Sequence, residues 1–232
     1  MTELIVTVTP SPSVDRTLEV TALERGEVNR ATAARVDAGG KGVNVTRALT
    51  ANGLPSLAVL PLGGPDGHAL SRLLIAGDIP HRAVPIAAGT RTNVTLSEPG
   101  GRVTKINAPG APLTAAELAA LASAAVVAAD GAGWLVLCGS LPPGAPDDYY
   151  VTLTERAHRA GVRVAVDTSG LPLAAALHGG PEVVKPNLFE LAELCGRALD
   201  RVEDVIAAAE ETRAAGAGAV VVSLGARGAL LV

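Results

Sequence analysis

Trp134-Leu135-Val136-Leu137 is a run of four apolar side chains with no polar residue between them. A strand with one wet face alternates apolar and polar residues. A strand covered on both faces does not, so this run reads as a buried strand of a parallel sheet. Working outward, the same pattern returns at Leu4-Ile5-Val6, from Val162 to Val166, and at Ala219-Val220-Val221-Val222. Helical patterns fill the intervals. Thr114 and Glu117 stand at capping-box spacing, and Leu118, Leu121, Ala122, Ala125 and Val126 follow at helical period. Further helices are expected over about 42–53, 66–76, 147–160, 187–195 and 203–215. This alternation predicts an α/β fold, a doubly wound and mostly parallel sheet whose ligands bind beyond the carboxyl ends of the strands.

Two stretches break the rhythm. Thr17 to Val20 and Thr92 to Ser97 are short and mixed, and Pro99-Gly100-Gly101 turns the second into Arg102 to Ile106. They predict strands with one solvated face, a small β-flap built from about 14–38 and 91–107. The 232-residue chain, 48% hydrophobic, suffices for one domain with a substantial core. A net charge of −4 argues against nucleic acid or an anionic membrane as partner, and 2% aromatic residues leave little for base stacking. Cys138 and Cys195 form no CxxC pair, and His68, His81, His158 and His178 have no metal-ligand spacing. The N-terminal apolar run is broken by Pro10 before it could serve as a signal or a span, so the expected location is the cytoplasm. Ala229 to Val232 reads as a strand that simply stops, which predicts a domain lacking its C-terminal part.

Gly39-Gly40-Lys41-Gly42 leads into the helical pattern from Val43 to Leu49. Consecutive glycines let a ligand approach the backbone, and the free N–H groups of a helix start, with a lysine beside them, favour an anion. A plain glycine-rich turn with an exposed lysine explains the four residues equally well. Neither GxxxxGK[ST] nor GxGxxG is present. Asp15 lies in the loop after the first strand, where a carboxylate can accept hydrogen bonds from sugar hydroxyls or merely be solvated.

Taken together, Pro12-x-x-Asp15, the GGKGVN run ending in Asn44, Arg91-Thr92-Asn93-Val94, Cys138-Gly139-Ser140-Leu141-Pro142-Pro143-Gly144, Asp167-Thr168-Ser169-Gly170, Lys185-Pro186-Asn187-x-x-Glu190 and Ser223-Leu224-Gly225 resemble the ordered motifs of PfkB-type, ribokinase-like carbohydrate kinases. The resemblance covers the whole chain. It implies one ribokinase-like domain over 1–232, a three-layer sandwich whose flap serves as a lid, and a homodimer clasped through the flaps.

The activity implied is ATP-dependent phosphorylation of a sugar phosphate. The lysine of GGKG points to fructose 1-phosphate at its 6-hydroxyl, with tagatose 6-phosphate or fructose 6-phosphate as alternatives. By resemblance, Asp15, Gly39, Gly40, Asn44 and Ser140 would hold the sugar, Lys41 would face its phosphate, and Arg91 would reach in from the flap. Lys185, Asn187, Glu190, Ser223, Gly225 and Gly228 would contact ATP, with Glu190 reaching Mg²⁺ through water. Asn187 and Glu190 also have the spacing of a helix-capping pair, and both readings can hold together. Three departures stand out. Ser11 and Ala108 occupy positions where relatives carry Asn and Glu, and the GAGD segment with the catalytic Asp is expected beyond Val232, so little turnover is expected of these residues alone. The rivals are a sugar-phosphate-binding module without catalysis and, more distantly, a nicotinamide dehydrogenase, whose dinucleotide fingerprint is missing.

Overall fold

A computed structural model describes residues 3–232. In chain order the elements are β1 (Ile5–Val8), β2 (Ser13–Glu19), β3 (Ala33–Gly39), α1 (Lys41–Ala51), β4 (Ser56–Leu62), α2 (Gly64–Ala76), β5 (His81–Pro85), β6 (Arg91–Ser97) and β7 (Val103–Ile106). There follow α3 (Ala115–Ala128), β8 (Trp134–Cys138), α4 (Tyr149–Arg159), β9 (Arg163–Asp167), α5 (Leu171–Ala176) and β10 (Val183–Val184). The last elements are α6 (Leu188–Cys195), α7 (Val202–Ala214), β11 (Ala219–Ser223) and β12 (Ala229–Leu231).

The main sheet has the order β12-β11-β10-β9-β8-β1-β4-β5, and every pairing in it is parallel except that of β12 with β11. From β1 the chain builds outward to β4 and β5, then returns on the other side through β8 to β11. The strand order therefore reverses between β1 and β8, and such a switch point leaves a crevice at the strands' carboxyl ends. Each of the four apolar runs supplies residues to a strand of this sheet. Three strands escape the periodicity. β4 carries Pro61, β5 is flanked by Pro80 and ends on Pro85, and β10 is only two residues long. The short helix α5 also lies outside the expected set.

Two cores lie on opposite faces of the sheet. The larger gathers Val6, Val8, Leu135, Leu137, Val164 and Val220 under α3 to α7. The smaller packs Val43, Ala58, Leu60, Leu70 and Leu74 between α1, α2 and the sheet. The sandwich has three layers over β1 and β4. Over β8 to β11 one face is covered, while Val136, Ala165, Val183 and Val221 line an open groove edged by Val45 of α1. A second sheet, β3-β2-β6-β7, stands apart from the first. At its base Ser13 pairs with both Gly39 and Arg91, and two residues further Asp15 pairs with Asp37 and Asn93. Register thus carries Asp15 and Arg91 to the same end of one small sheet.

Candidate active site

The first feature at the switch point is the start of α1. Gly40 has φ 122°, a region closed to most side chains, and a Cβ on Gly42 would lie 2.4 Å from Thr9 Oγ1. The glycines let the helix start press onto the end of β1, where Thr7 Oγ1 donates to Gly42 O at 3.0 Å. Gly40 supplies no side-chain cap, so the first-turn N–H groups stay available to an anion.

Asp15 sits two residues along β2 from the Ser13–Gly39 pair. Its Oδ1 accepts from Ser13 Oγ at 2.7 Å and from Asn93 Nδ2 at 3.0 Å. A Cβ on Gly39 would stand 2.4 Å from this carboxylate, so Asp15 lies directly over the glycine two positions before Lys41. The Lys41 ammonium turns the other way. Its Nζ donates to Asp167 Oδ1 at 2.8 Å and approaches Glu190 Oε1 at 3.5 Å. Lys185 Nζ meets Asp167 Oδ2 at 3.1 Å. The resemblance sets Lys41 toward the sugar and Lys185 toward the nucleotide; here one carboxylate ties both. Burial pulls the Lys41 pKa down, but hydrogen bonding to Asp167 and the charges of Asp167 and Glu190 outweigh it and leave the pKa raised.

Arg91 reaches from β6 into the same crevice. Its Nη1 donates to Ala108 O at 3.1 Å and its Nη2 to Ser11 O at 3.0 Å, and burial lowers its pKa against the opposing pull of Asp15. Both bonds use main-chain oxygens, so the tie does not depend on the side chains of the two departing positions. Asn44 Oδ1 accepts from Arg47, and Ser140 is exposed just beyond β8. Three buried polar atoms have no hydrogen-bond partner among the described residues: Thr9 Oγ1, Arg91 Nε and Asn93 Oδ1. All three residues belong to this end of the two sheets, where a polar ligand or water would satisfy them.

On the other side of Asp167, Asn187 and Glu190 form a complete capping box for α6. Glu190 N donates to Asn187 Oδ1 and Asn187 N to Glu190 Oε2, each at 2.9 Å. Ser223 N bonds Pro186 O at 3.0 Å, and Leu224 N closes onto Gly228 O at 2.8 Å. Gly225 at φ 61° and Gly228 at φ 90° make this turn possible. Cys138 is buried beside the cluster; burial and the Asp167 charge push its thiol up to about 12, so it offers no nucleophile near neutral pH.

The expected residues therefore form two groups that meet at Asp167. Asp167, Thr9 and Asn93 carry no predicted site role, although Asp167 and Asn93 stand in the quoted motifs. The usable signal for Asp167 was its position at the carboxyl end of the Val162 to Val166 run.

A switch-point crevice with an anion-accepting helix start and a lysine–carboxylate cluster defines a phosphate-handling α/β protein. Residues 8–232 match the family described as pfkB family carbohydrate kinase. The chain is 42% identical over 235 residues to the 1-phosphofructokinase of Rhodobacter capsulatus, covering all of this chain and 74% of that protein. It is 38% identical over 229 residues to the ATP-dependent 6-phosphofructokinase isozyme 2 of Mycobacterium tuberculosis, covering 98% of this chain and 67% of that protein. The crystal structure of Escherichia coli phosphofructokinase-2 in complex with fructose-6-phosphate superposes with a TM-score of 0.93 at 36% identity, over all of this chain and 77% of that one. The chain belongs to the PfkB family of carbohydrate kinases. Among the described residues no helix is long and apolar enough to cross a membrane.

Proposed function

We propose that this chain binds fructose 1-phosphate and ATP, and that its reaction is phosphoryl transfer to the 6-hydroxyl, giving fructose 1,6-bisphosphate. The similarity of the whole chain to 74% of a 1-phosphofructokinase carries the reading. In it, Asp15 accepts hydrogen bonds from sugar hydroxyls, beside the backbone of Gly39 and Gly40. Asn44, Ser140 and Arg91 border the same crevice, while the α1 N-terminus and Lys41 receive phosphate oxygens. Lys185, Asn187, Glu190, Ser223, Gly225 and Gly228 border the nucleotide. Transfer of this kind depends chiefly on in-line placement and neutralised charge, which such donors supply.

Among the described residues no cluster of three metal-ligating side chains occurs, and Glu190 Oε2 is already engaged by Asn187 N. These residues fit a Mg²⁺ ion held mainly by the nucleotide's phosphates, with Glu190 reaching it through water. When bound, the ion would neutralise charge on those phosphates.

The flap closes over the sugar in this reading and keeps water from ATP. Val36, Val103 and Ile106 are exposed on it, which supports a homodimer formed flap to flap. Free thiols at Cys138 and Cys195 fit a cytoplasmic enzyme. The site carboxylates Asp15, Asp167 and Glu190 are each held by hydrogen bonds or ion pairs. This reading assigns none of them the hydroxyl proton, so the chain by itself should bind both substrates yet turn over slowly. Loss of a general base costs roughly 10²–10⁴-fold.

The similarity to 6-phosphofructokinases favours fructose 6-phosphate as the second reading. The test is a coupled ADP-release assay comparing kcat/KM on fructose 1-phosphate, fructose 6-phosphate and tagatose 6-phosphate, with calorimetry for binding. A preference for fructose 6-phosphate overturns the sugar assignment. Sugar-phosphate binding with no response to ATP favours a binding module.

A further inference from the structure

Asp167 has no sugar or nucleotide role in the reading above, yet it touches lysines of both halves of the site. It ends β9 between the exits of β8 and β10 and is only 9% exposed. Its carbonyl accepts from Gly139 N at 2.8 Å, and next to it Lys185 N bonds Val166 O at 2.9 Å. Thr168 Oγ1 and Tyr150 Oη each donate to Gly139 O at 2.9 Å. Three strand ends are thus stitched together, and the main chain that carries the carboxylate is held between them.

An ammonium group has three N–H donors. Lys41 uses one on Asp167 and directs a second at Glu190; Lys185 uses one on Asp167. Fixing these donors fixes the direction of the remainder. Both lysine side chains are 41% exposed, so donors left over can meet a ligand in the crevice. The two lysines come from different elements, one at the start of α1 and one just after β10.

We propose that Asp167 is a positioning residue that sets Lys41 and Lys185 side by side, so that together they grip one phosphoryl group where the two halves of the site meet. This rests on the kinase reading above. Two effects oppose each other when the carboxylate is removed. The cluster gains a net positive charge, which favours any anion, while the lysines lose their shared anchor and must be ordered by the ligand itself. Because both lysines are long and partly exposed, charge is screened there, and loss of order dominates.

Calorimetric titration with ATP of the 232-residue chain and its Asp167→Asn, Lys41→Gln and double variants tests this. Each single change should weaken ATP binding about tenfold, and Lys41→Gln in the Asp167→Asn background should add less than about twofold, because the anchor that orders Lys41 is already gone. Asp167→Glu restores the charge one methylene further out and should stay weakened. Tighter binding in Asp167→Asn, losses that multiply in the double variant, or full recovery in Asp167→Glu would each overturn the proposal. Nitrogen-15 lysine spectra of the wild-type chain give a readout that needs neither ligand nor variant. Two ammonium signals protected from solvent exchange are expected, and free rotation of both would sink the idea. Wild-type chain that binds neither ATP nor fructose 1-phosphate would instead refute the kinase reading.

Discussion

At Gly39 one added carbon would strike the proposed sugar pocket. A methyl there would occupy space 2.4 Å from the Asp15 carboxylate, which Ser13 and Asn93 hold in place. Gly39→Ala should weaken fructose 1-phosphate binding by more than about tenfold in calorimetry while changing stability by only about 1 kcal/mol, since the clash falls on a side chain. Arg91 poses a different case. Its planar fork spans two carbonyls, Ser11 O and Ala108 O, and a lysine cannot span both. Arg91→Lys should lower stability by about 1–2 kcal/mol in urea unfolding, the cost of one or two lost charge-assisted bonds in a half-buried place. The sequence disclosed Asp15 and Arg91 through motif order, but not what they hold. Motif order also marked Asp167 but not its two lysine partners, because side chains converging from α1, the end of β9 and the loop after β10 leave no local period to read.

Helix α3 shows how far local chemistry can be read in advance. Thr114 and Glu117 form the expected capping box, with Glu117 N to Thr114 Oγ1 at 3.2 Å and Thr114 N to Glu117 Oε2 at 2.8 Å. Thr114→Ala should cost about 1 kcal/mol by thermal or urea unfolding. Hydrogen bonds from the Ala87 and Thr114 main chain, and from the Thr114 hydroxyl, lower the Glu117 pKa in the folded state. The stabilisation is therefore present above the unfolded-state carboxylate pKa and lost as pH falls through the lower folded value. Glu117→Gln should accordingly flatten the acid limb of a stability–pH curve. Capping and apolar runs were legible because each is a contiguous code. β4 and β5 were not, because Pro61, Pro80 and Pro85 signal turns that parallel neighbours override. At β10 two residues are too few to show any period.

For the whole molecule, the doubly wound, mostly parallel sheet could be anticipated as a class from alternating runs and helices. The reversal between β1 and β8 could not, since no segment records which neighbour it will choose. The flap sheet offers the main prediction at this scale. Ile106, 57% exposed on β7, should lie within the proposed dimer contact. Ile106→Asp should shift sedimentation equilibrium toward monomer without unfolding the chain, and an unchanged mass would count against flap-to-flap pairing.

The groove over β8 to β11 carries its own consequence for handling. Valines 136, 183 and 221, with Ala165, present an oily stripe to solvent on a chain of modest net charge. Ammonium sulfate should bring it out of solution early, phenyl resins should retain it, and environment-sensitive dyes should brighten on the native chain. Asp or Lys in place of Val221 should reverse all three while leaving circular dichroism unchanged.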